Sequence, residues 1–300
     1  MSEVAYVFDQ KAEKVLRKPL LARPWVETVF KGTAISVICL ALALLVFLIC
    51  NVIVDGWPRL SATFLTSFPS RKAEQAGIYA ALFGSLYLLL LTMVFSFPLG
   101  VGAALYLEEY SRRNRLTRLI ELCIANLAGV PSVIYGLLGL QIFARICNFE
   151  RSLLSGALTM TLLILPVIII AAREAIRTVP KAYREGAIAL GATKWQTTWT
   201  QVLPSALPGI MTGCILAFSR AIGETAPLVT LGALTYIAFL PDSLFAPFTA
   251  LPIQAFNWIS RPQADFHANA AAAIVILLVV MLFLNGAAIV LRAKFQRRQR

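Results

Sequence analysis

The chain has few ionisable side chains for its size. Charged residues make up only 14% of its 300 residues, whereas 59% are hydrophobic and the mean hydropathy is +0.76. A soluble domain is about one quarter charged and about half apolar. The shortage of charge therefore excludes an ordinary soluble domain and predicts an integral membrane protein with several spans.

Residue types that perform chemistry are also scarce. Histidine occurs once, as His267, and no Cys-x-x-Cys pair is present. The sequence contains no phosphate-binding loop of the Walker type and no nucleophile elbow. We predict that the chain is not an enzyme, holds no metal and binds no cofactor, so any ATP and Mg²⁺ would be bound by a separate subunit. The cysteines lie in or beside apolar runs, which is typical of reduced packing residues (Cys39, Cys50, Cys123, Cys147 and Cys214).

Acidic residues are fewer than basic ones. Lys and Arg number 27 against 15 Asp and Glu, which gives a formal net charge of +12. In a soluble protein this excess would suggest a nucleic-acid partner. Here the basic residues flank apolar runs, and such flanks mark the cytoplasmic side of membrane proteins. We therefore predict contact with membrane lipid, no nucleic acid, and both termini in the cytoplasm.

Six apolar segments are long enough to cross the roughly 30 Å of hydrocarbon in a bilayer. They cover about residues 33–54, 78–106, 120–145, 153–172, 206–237 and 270–291. The second segment contains Pro98, where we expect a kink or break. Pro131 in the third frees a carbonyl that protein or water must satisfy. Prolines recur too often in residues 238–269 for a straight helix, so we expect an external loop there.

These segments define the domain organisation that we predict. A cytoplasmic N-terminal segment, 1–32, precedes a six-span domain, 33–291, and a basic cytoplasmic tail, 292–300, follows it. The acidic residues Glu108 and Glu109 end the second span beside a basic loop. We expect them to be solvated at headgroup level, with contact to a partner ATPase as the alternative.

The longest polar run between two apolar segments covers residues 173–204. Pro180 and Gly191 stand where a short helix typically begins and ends. Residues 193–196, Thr-Lys-Trp-Gln, have the spacing of a capping box, which predicts a second helix, and Pro204 would end it. We therefore expect a helix, a glycine turn and a second helix on the membrane surface.

Two charged residues, Arg220 and Glu224, lie in the otherwise apolar fifth segment. Because they are four residues apart, they share one face of a helix and can pair. One interpretation is a self-neutralising pair packed between helices. The other is a pair that lines a translocation route beside Ser219 and Thr225, in which Glu224 orients Arg220 and its guanidinium meets an oxyanion. The helix is expected to open locally at the flanking residues (Gly223 and Pro227).

Two regions resemble known transporters. Glu185-Gly186-Ala187, followed by Gly191 and by Leu203-Pro204, resembles the EAA loop of ABC-importer permeases, although Gly186 and Gln201 depart from that pattern. Residues 219–227, Ser-Arg-Ala-Ile-Gly-Glu-Thr-Ala-Pro, resemble the fifth-span signature of phosphate-specific permeases of the PstA type. Residues 131–137 are also similar to that family.

The resemblance implies an all-α integral membrane protein with six transmembrane helices and the ABC-importer type I (MetI-like) permease fold, in the bacterial inner membrane. Such a permease imports inorganic phosphate by ATP-driven alternating access. Its implied partners are a PstC-like permease in a heterodimer, two PstB-like ATPase subunits and a PstS-like phosphate-binding protein. In that family the EAA loop lies in a groove of the ATPase, which implies coupling roles for Glu185, Gly186, Ala187, Gly191, Leu203 and Pro204.

Other functions remain open at this point. A permease of the same superfamily for molybdate or sulfate would carry the same EAA loop. An ion-coupled secondary transporter or channel would need no ATPase, but such folds commonly show internal repeats, and we find no half-to-half similarity. A membrane-embedded enzyme lacks an assembled nucleophile or metal set. The polar run could also be an amphipathic loop on lipid headgroups.

Overall fold

The structure is a computed structural model that describes residues 24–112, 114–233 and 236–297. The part of the predicted N-terminal segment before residue 24 and the tail from 298 lie outside the described residues. The chain divides into two units, 1–51 and 52–300. The first unit carries most of α1 (Pro24–Gly56), which belongs to a candidate span over Thr28–Arg59 with a mean hydropathy of 3.2.

The described part of the second unit is helical, with no strand and an isolated bridge between Ser152 and Pro247. Three π-helical turns lie at Tyr106–Tyr110, Leu140–Ile146 and Thr198–Val202. The helices that follow α1 are α2 (Ala62–Thr66), α3 (Tyr79–Leu105), α4 (Arg115–Ala128), α5 (Ser132–Gly139), α6 (Leu153–Arg177), α7 (Lys181–Ala189), α8 (Lys194–Thr197), α9 (Leu203–Gly223), α10 (Ala226–Leu231), α11 (Leu251–Ile259) and α12 (Asp265–Arg297).

The core of the second unit forms where α3 and α9 pack on α6. Ile164, Ile168 and Ile176 of α6 are almost completely buried. Small residues allow the backbones to approach, since a Cβ added at Gly209 of α9 would lie only 2.8 Å from the Cβ of Ala175. Small residues at helix contacts are typical of membrane proteins, where close packing replaces the hydrophobic drive.

The directions of α3 and α6 determine how many times the chain crosses the membrane. Both helices begin near residues 246–251, because Leu153 donates its N–H to the Ala246 carbonyl at 3.0 Å and Leu251 donates to Ser85 Oγ at 2.7 Å. Both end together, where Arg173 pairs with Glu108. The two helices therefore run in the same direction, and the chain between them must return across the membrane.

The returning segment is the third predicted span, but it is not straight. Helix α4 and the helical stretch Ser132–Ile146 meet at an angle of 104°. Pro131 has no N–H for the Leu127 carbonyl, and the hydroxyl of Tyr135 donates to that carbonyl at 2.7 Å instead. The described residues thus contain six candidate spans when the bent pair is counted as one, and the third predicted span, 120–145, is broken at Pro131.

Two other proline positions behave differently from expectation. Helix α3 continues through Pro98 to Leu105, so no break occurs there, and Gly100 packs against Ile168 of α6. Pro204 does not end a helix. It lies in the first turn of α9, directly after the π-helical turn Thr198–Val202, and the helical stretch continues from Lys194 to Gly223.

The fifth predicted segment, 206–237, is not one helix. Helix α9 ends at Gly223, α10 follows after Glu224 and Thr225, and Gly232 ends α10 in the left-handed conformation with φ of +84°. The expected external loop, 238–269, contains the short α11, and its last residues, from Asp265 on, already form the start of α12 and of the last candidate span. Trp258 of α11 packs against Phe64 of α2 and against Phe266 in the alanine-rich start of α12.

Candidate functional site

The segment between α6 and α9 folds as its turn signals predict. Pro180 caps α7, and Gly191 has a φ of +85°, a conformation that side chains with a Cβ rarely adopt. The expected capping box is present, since Thr193 Oγ1 accepts from the Gln196 N–H at 3.3 Å and Gln196 Oε1 accepts from the Thr193 N–H at 2.9 Å. We call residues 180–202 the coupling segment.

The coupling segment presents an unpacked surface. Glu185 and Gly186 are exposed and Ala187 is half-buried. A Cβ added at Gly186 would meet no atom within 4 Å. Leu190 is 91% exposed, and α7 buries none of its side chains. An exposed apolar surface of this kind marks a binding site.

The second half of the coupling segment adds aromatic side chains to this surface. Trp195 and Trp199 lie on one face, with ring centroids 5.2 Å apart. Leu203 and Pro204, which the sequence grouped with the surface residues, are half-buried at the start of α9. Leu203 packs against the core of the second unit. Leu203 and Pro204 are therefore less exposed than Glu185 and Gly186.

Glu108 and Glu109 are not solvated, which corrects the expectation from sequence. Their side chains are only 16% and 9% exposed. Glu108 lies 2.7 Å from Arg173, and Glu109 lies 2.7 Å from Arg184. Sequence analysis missed Arg173 and Arg184 as partners because they lie 65 and 75 residues away.

The predicted pair in the fifth segment is present. Arg220 Nε donates to Glu224 Oε1 at 3.2 Å, and the two side chains are 52% and 18% exposed. Within the part of the chain that the structure describes, the two Nη nitrogens of Arg220 have no partner. The helix opens beside the pair as expected, since α9 ends at Gly223 and Glu224 is extended. This geometry leaves a guanidinium edge available to an anion.

Ser219 and Thr225, the other predicted site residues, flank this pair. Ser219 Oγ donates to the Ile215 carbonyl at 2.7 Å and also contacts Asn285 Oδ1 of α12. The Thr225 carbonyl accepts from the N–H groups of Leu228 and Val229 at the start of α10. Sequence analysis missed Asn285, although a lone amide within an apolar span is a signal for a contact between helices.

The described residues hold no cluster of metal ligands beside these features. Among the described residues, no three His, Cys, Asp or Glu side chains are placed so that they could hold a metal ion. The candidate site therefore consists of two parts, a coupling segment at one end of the span Lys194–Gly223 and a charged pair at the other.

Comparison with protein families gives a match over residues 96–300. The family is described as "Binding-protein-dependent transport system inner membrane component". The matched region includes the described residues of both parts of the candidate site.

Curated proteins are similar over most of the chain. "Phosphate transport system permease protein PstA 1" of Mycobacterium tuberculosis (strain H37Rv) is 33% identical over 300 residues, which cover 97% of this chain and 96% of that protein. "Probable ABC transporter permease protein YqgI" of Bacillus subtilis (strain 168) is 35% identical over 258 residues, which cover 81% and 88%. The PstA permease of Haemophilus influenzae is 31% identical over 252 residues, which cover 84% and 88%.

Solved structures share the fold at low sequence identity. A chain of a bacterial alginate ABC transporter, in complex with an alginate pentasaccharide-bound periplasmic protein, has a TM-score of 0.68 at 16% identity and covers 90% of this chain and 96% of its own. A chain of the MetNI methionine ABC transporter in an inward-facing conformation has a TM-score of 0.57 at 17% identity and covers 73% and 94%. The chain thus has the fold of an ABC-importer permease.

Proposed function

The chain belongs to the family of binding-protein-dependent transport system inner membrane components, and we propose that it is the permease subunit of an ATP-driven importer of inorganic phosphate. The observation that carries the proposal is its similarity, over 97% of its length, to a phosphate transport permease. The free guanidinium edge of Arg220 suits a phosphate oxyanion, because arginine donors match oxyanion geometry.

The coupling segment is the proposed contact with a separate ATPase. Its exposed residues Glu185, Gly186 and Leu190 need a partner surface, and an amphipathic loop on lipid would not require the open space at Gly186. We assign ATP and Mg²⁺ to two such ATPase subunits. A second permease would complete the pore, and a phosphate-binding protein would deliver the anion. Both termini would lie in the cytoplasm, on the side of the coupling segment.

The helical stretch Lys194–Gly223 connects the two parts of the site. It has 30 residues, so at 1.5 Å per residue it is about 45 Å long. One end carries Trp195 and Trp199 of the coupling segment, and the other carries Arg220. Movement of an ATPase at the first end would therefore tilt or shift the charged pair at the second.

This connection suggests how ATP drives transport. Closure of the ATPase pair would shift the population of the permease between states open to opposite sides. Arg220 would compensate the charge of the anion transiently in a dry pathway, while Glu224 holds its Nε. Binding at this point must stay weak, since a deep energy well would retain the anion.

The test is reconstitution of the complex from detergent-solubilised membranes into vesicles. We expect an ATPase and a second permease to co-purify with the chain, and ATP hydrolysis to be stimulated only by binding protein loaded with phosphate. Competition by sulfate and molybdate would identify a permease for another oxyanion. Uptake by vesicles that contain this chain alone would contradict the proposal and favour an ion-coupled transporter.

A further inference from the structure

We propose that the turn Tyr106–Tyr110 at the end of α3 is a positioning element that joins the coupling segment to the membrane-spanning helices through Glu109 and Arg184. This inference rests on the proposed function, because it assumes that an ATPase moves the coupling segment. It assigns a role in energy coupling to residues outside the motif that resembles the EAA loop.

Arg184 connects three parts of the chain. Its Nη2 and Nε donate to Glu109 Oε1 at 2.7 and 3.0 Å. Its Nη1 donates to the Val179 carbonyl at 2.8 Å, and its Nη2 also donates to the Ile176 carbonyl at 3.1 Å. The guanidinium therefore fixes α7 against both the end of α6 and the turn that follows α3. A charge-assisted contact with two donors has a defined direction as well as strength.

Helix α7 buries no apolar side chain, so its position depends on the contact through Arg184. None of the residues of α7 is buried, and Leu190 beside it is 91% exposed. By contrast, the side chains of Arg184 and Glu109 are only 22% and 9% exposed. The position of α7 relative to α3 thus depends mainly on this ion pair.

The same turn also contacts the second half of the coupling segment. The ammonium of Lys194 lies 5.3 Å from the centre of the Tyr110 ring. The Tyr110 hydroxyl donates to Thr198 Oγ1 at 3.4 Å. One five-residue turn therefore contacts both sides of the bend at Gly191, so the two halves of the coupling segment would move together with the end of α3.

A second set of charges anchors the turn to α6 and α4. Arg173 pairs with Glu108 at 2.7 Å and with Glu121 of α4 at 2.5 Å. Arg177 pairs with Glu108 at 2.9 Å. Because Glu108 and Glu109 are neighbours, a force on Arg184 reaches α3, α4 and α6 through adjacent carboxylates. Buried ion pairs add little net stability, so an arrangement of this size is better explained by precise positioning.

The experiment uses the complete transporter in vesicles and measures phosphate moved per ATP hydrolysed. We expect Glu109→Gln and Arg184→Gln each to lower this ratio about tenfold, within the range of coupling between linked sites. The exchange of both charges, Glu109→Arg with Arg184→Glu, should recover only part of the ratio, because a carboxylate at 184 cannot donate to the Val179 and Ile176 carbonyls. The control is Glu174→Gln, which removes a surface pair with Arg177 in which Glu174 is 65% exposed, and it should leave the ratio unchanged.

The results separate this inference from the proposed function. If phosphate-loaded binding protein does not stimulate ATP hydrolysis by the wild-type complex, the proposed function fails. If the wild type is stimulated and the single variants keep a normal ratio, only the positioning role is overturned. Should the neutral variants fail to assemble, Arg184→Lys keeps the charge and loses the two-donor contact. A normal ratio in that variant would also overturn the inference.

Discussion

Two ion pairs lie near opposite ends of the span Lys194–Gly223: Arg184 with Glu109, and Arg220 with Glu224. They differ in how many nitrogens of the guanidinium have hydrogen-bond partners. Arg184 donates hydrogen bonds to Glu109 and to two backbone carbonyls, and the side chains of this pair are mostly buried. Among the described residues, Arg220 contacts Glu224 alone, through Nε, and it is 52% exposed. A guanidinium whose three nitrogens all have partners holds segments together, whereas one with unpartnered nitrogens is available to a ligand. The comparison predicts different consequences of mutation at the two ends.

The largest effect on phosphate uptake is expected at Arg220, the arginine that is available to a ligand. Arg220→Gln should reduce phosphate uptake by about 100-fold or more, because it removes the donor that compensates an anion in a site of low dielectric. The complex should still assemble, since Arg220 contributes no buried contact to the core. Uptake of radiolabelled phosphate into vesicles, normalised to assembled complex, measures the effect. Normal uptake by this variant would remove Arg220 from the pathway.

At the buried charges, in contrast, we expect the mutation to lower the stability of the protein. Arg173→Leu should destabilise the protein by about 1–3 kcal/mol, because it removes the closest partner of the mostly buried Glu108, which keeps its pair with Arg177. Thermal unfolding of the purified complex in detergent measures the loss. Arg220→Leu is the matched control and should leave the unfolding temperature nearly unchanged. Equal unfolding temperatures for the two variants would contradict the distinction between a buried arginine that stabilises the fold and an exposed one that is available to a ligand.

The sequence predicted the parts of the site that depend on local spacing. The pairing of Arg220 with Glu224, the capping box at Thr193 and the turn at Gly191 all involve residues within four positions of one another, and each is present. The contact between Glu109 and Arg184 spans 75 residues. Such a pair depends on how α3 and α6 pack, which no short pattern encodes.

Prolines were the least certain signals in the sequence. Pro131 marks the bend between α4 and α5, but the angle of 104° depends on tertiary contacts such as that of Tyr135 with the Leu127 carbonyl. Pro204 was interpreted as the end of a helix, whereas it lies in the first turn of one. Because proline lacks an N–H, it is typical both of the position after a helix and of the first turn of one. The local sequence is the same in the two cases, so it does not distinguish them.

A smaller effect, on the ratio of phosphate moved to ATP hydrolysed, is expected at Gly191 in the turn of the coupling segment. Gly191→Ala forces a Cβ into a left-handed conformation, which costs about 1–2 kcal/mol, although there is open space around it. We expect the turn to rearrange and the ratio of phosphate moved to ATP hydrolysed to fall several-fold. Glu185→Ala should lower the same ratio by removing a contact with the ATPase while leaving the turn intact. An unchanged ratio in both variants would contradict the assignment of this segment to coupling.

The smallest effect is expected beside the available charge, at the contact between α9 and α12. Ser219→Ala removes the hydroxyl that contacts Asn285, and hydrogen bonds between membrane helices contribute only about 0.6 kcal/mol on average. Uptake should therefore fall less than about threefold, because Glu224 still orients Arg220. Thr212→Val is the matched control, since its hydroxyl donates to the Pro208 carbonyl of the same helix at 2.8 Å and bonds to no other helix in the described part of the chain. A loss in Ser219→Ala as large as that in Arg220→Gln would mean that the contact with α12, rather than the pair with Glu224, positions the guanidinium.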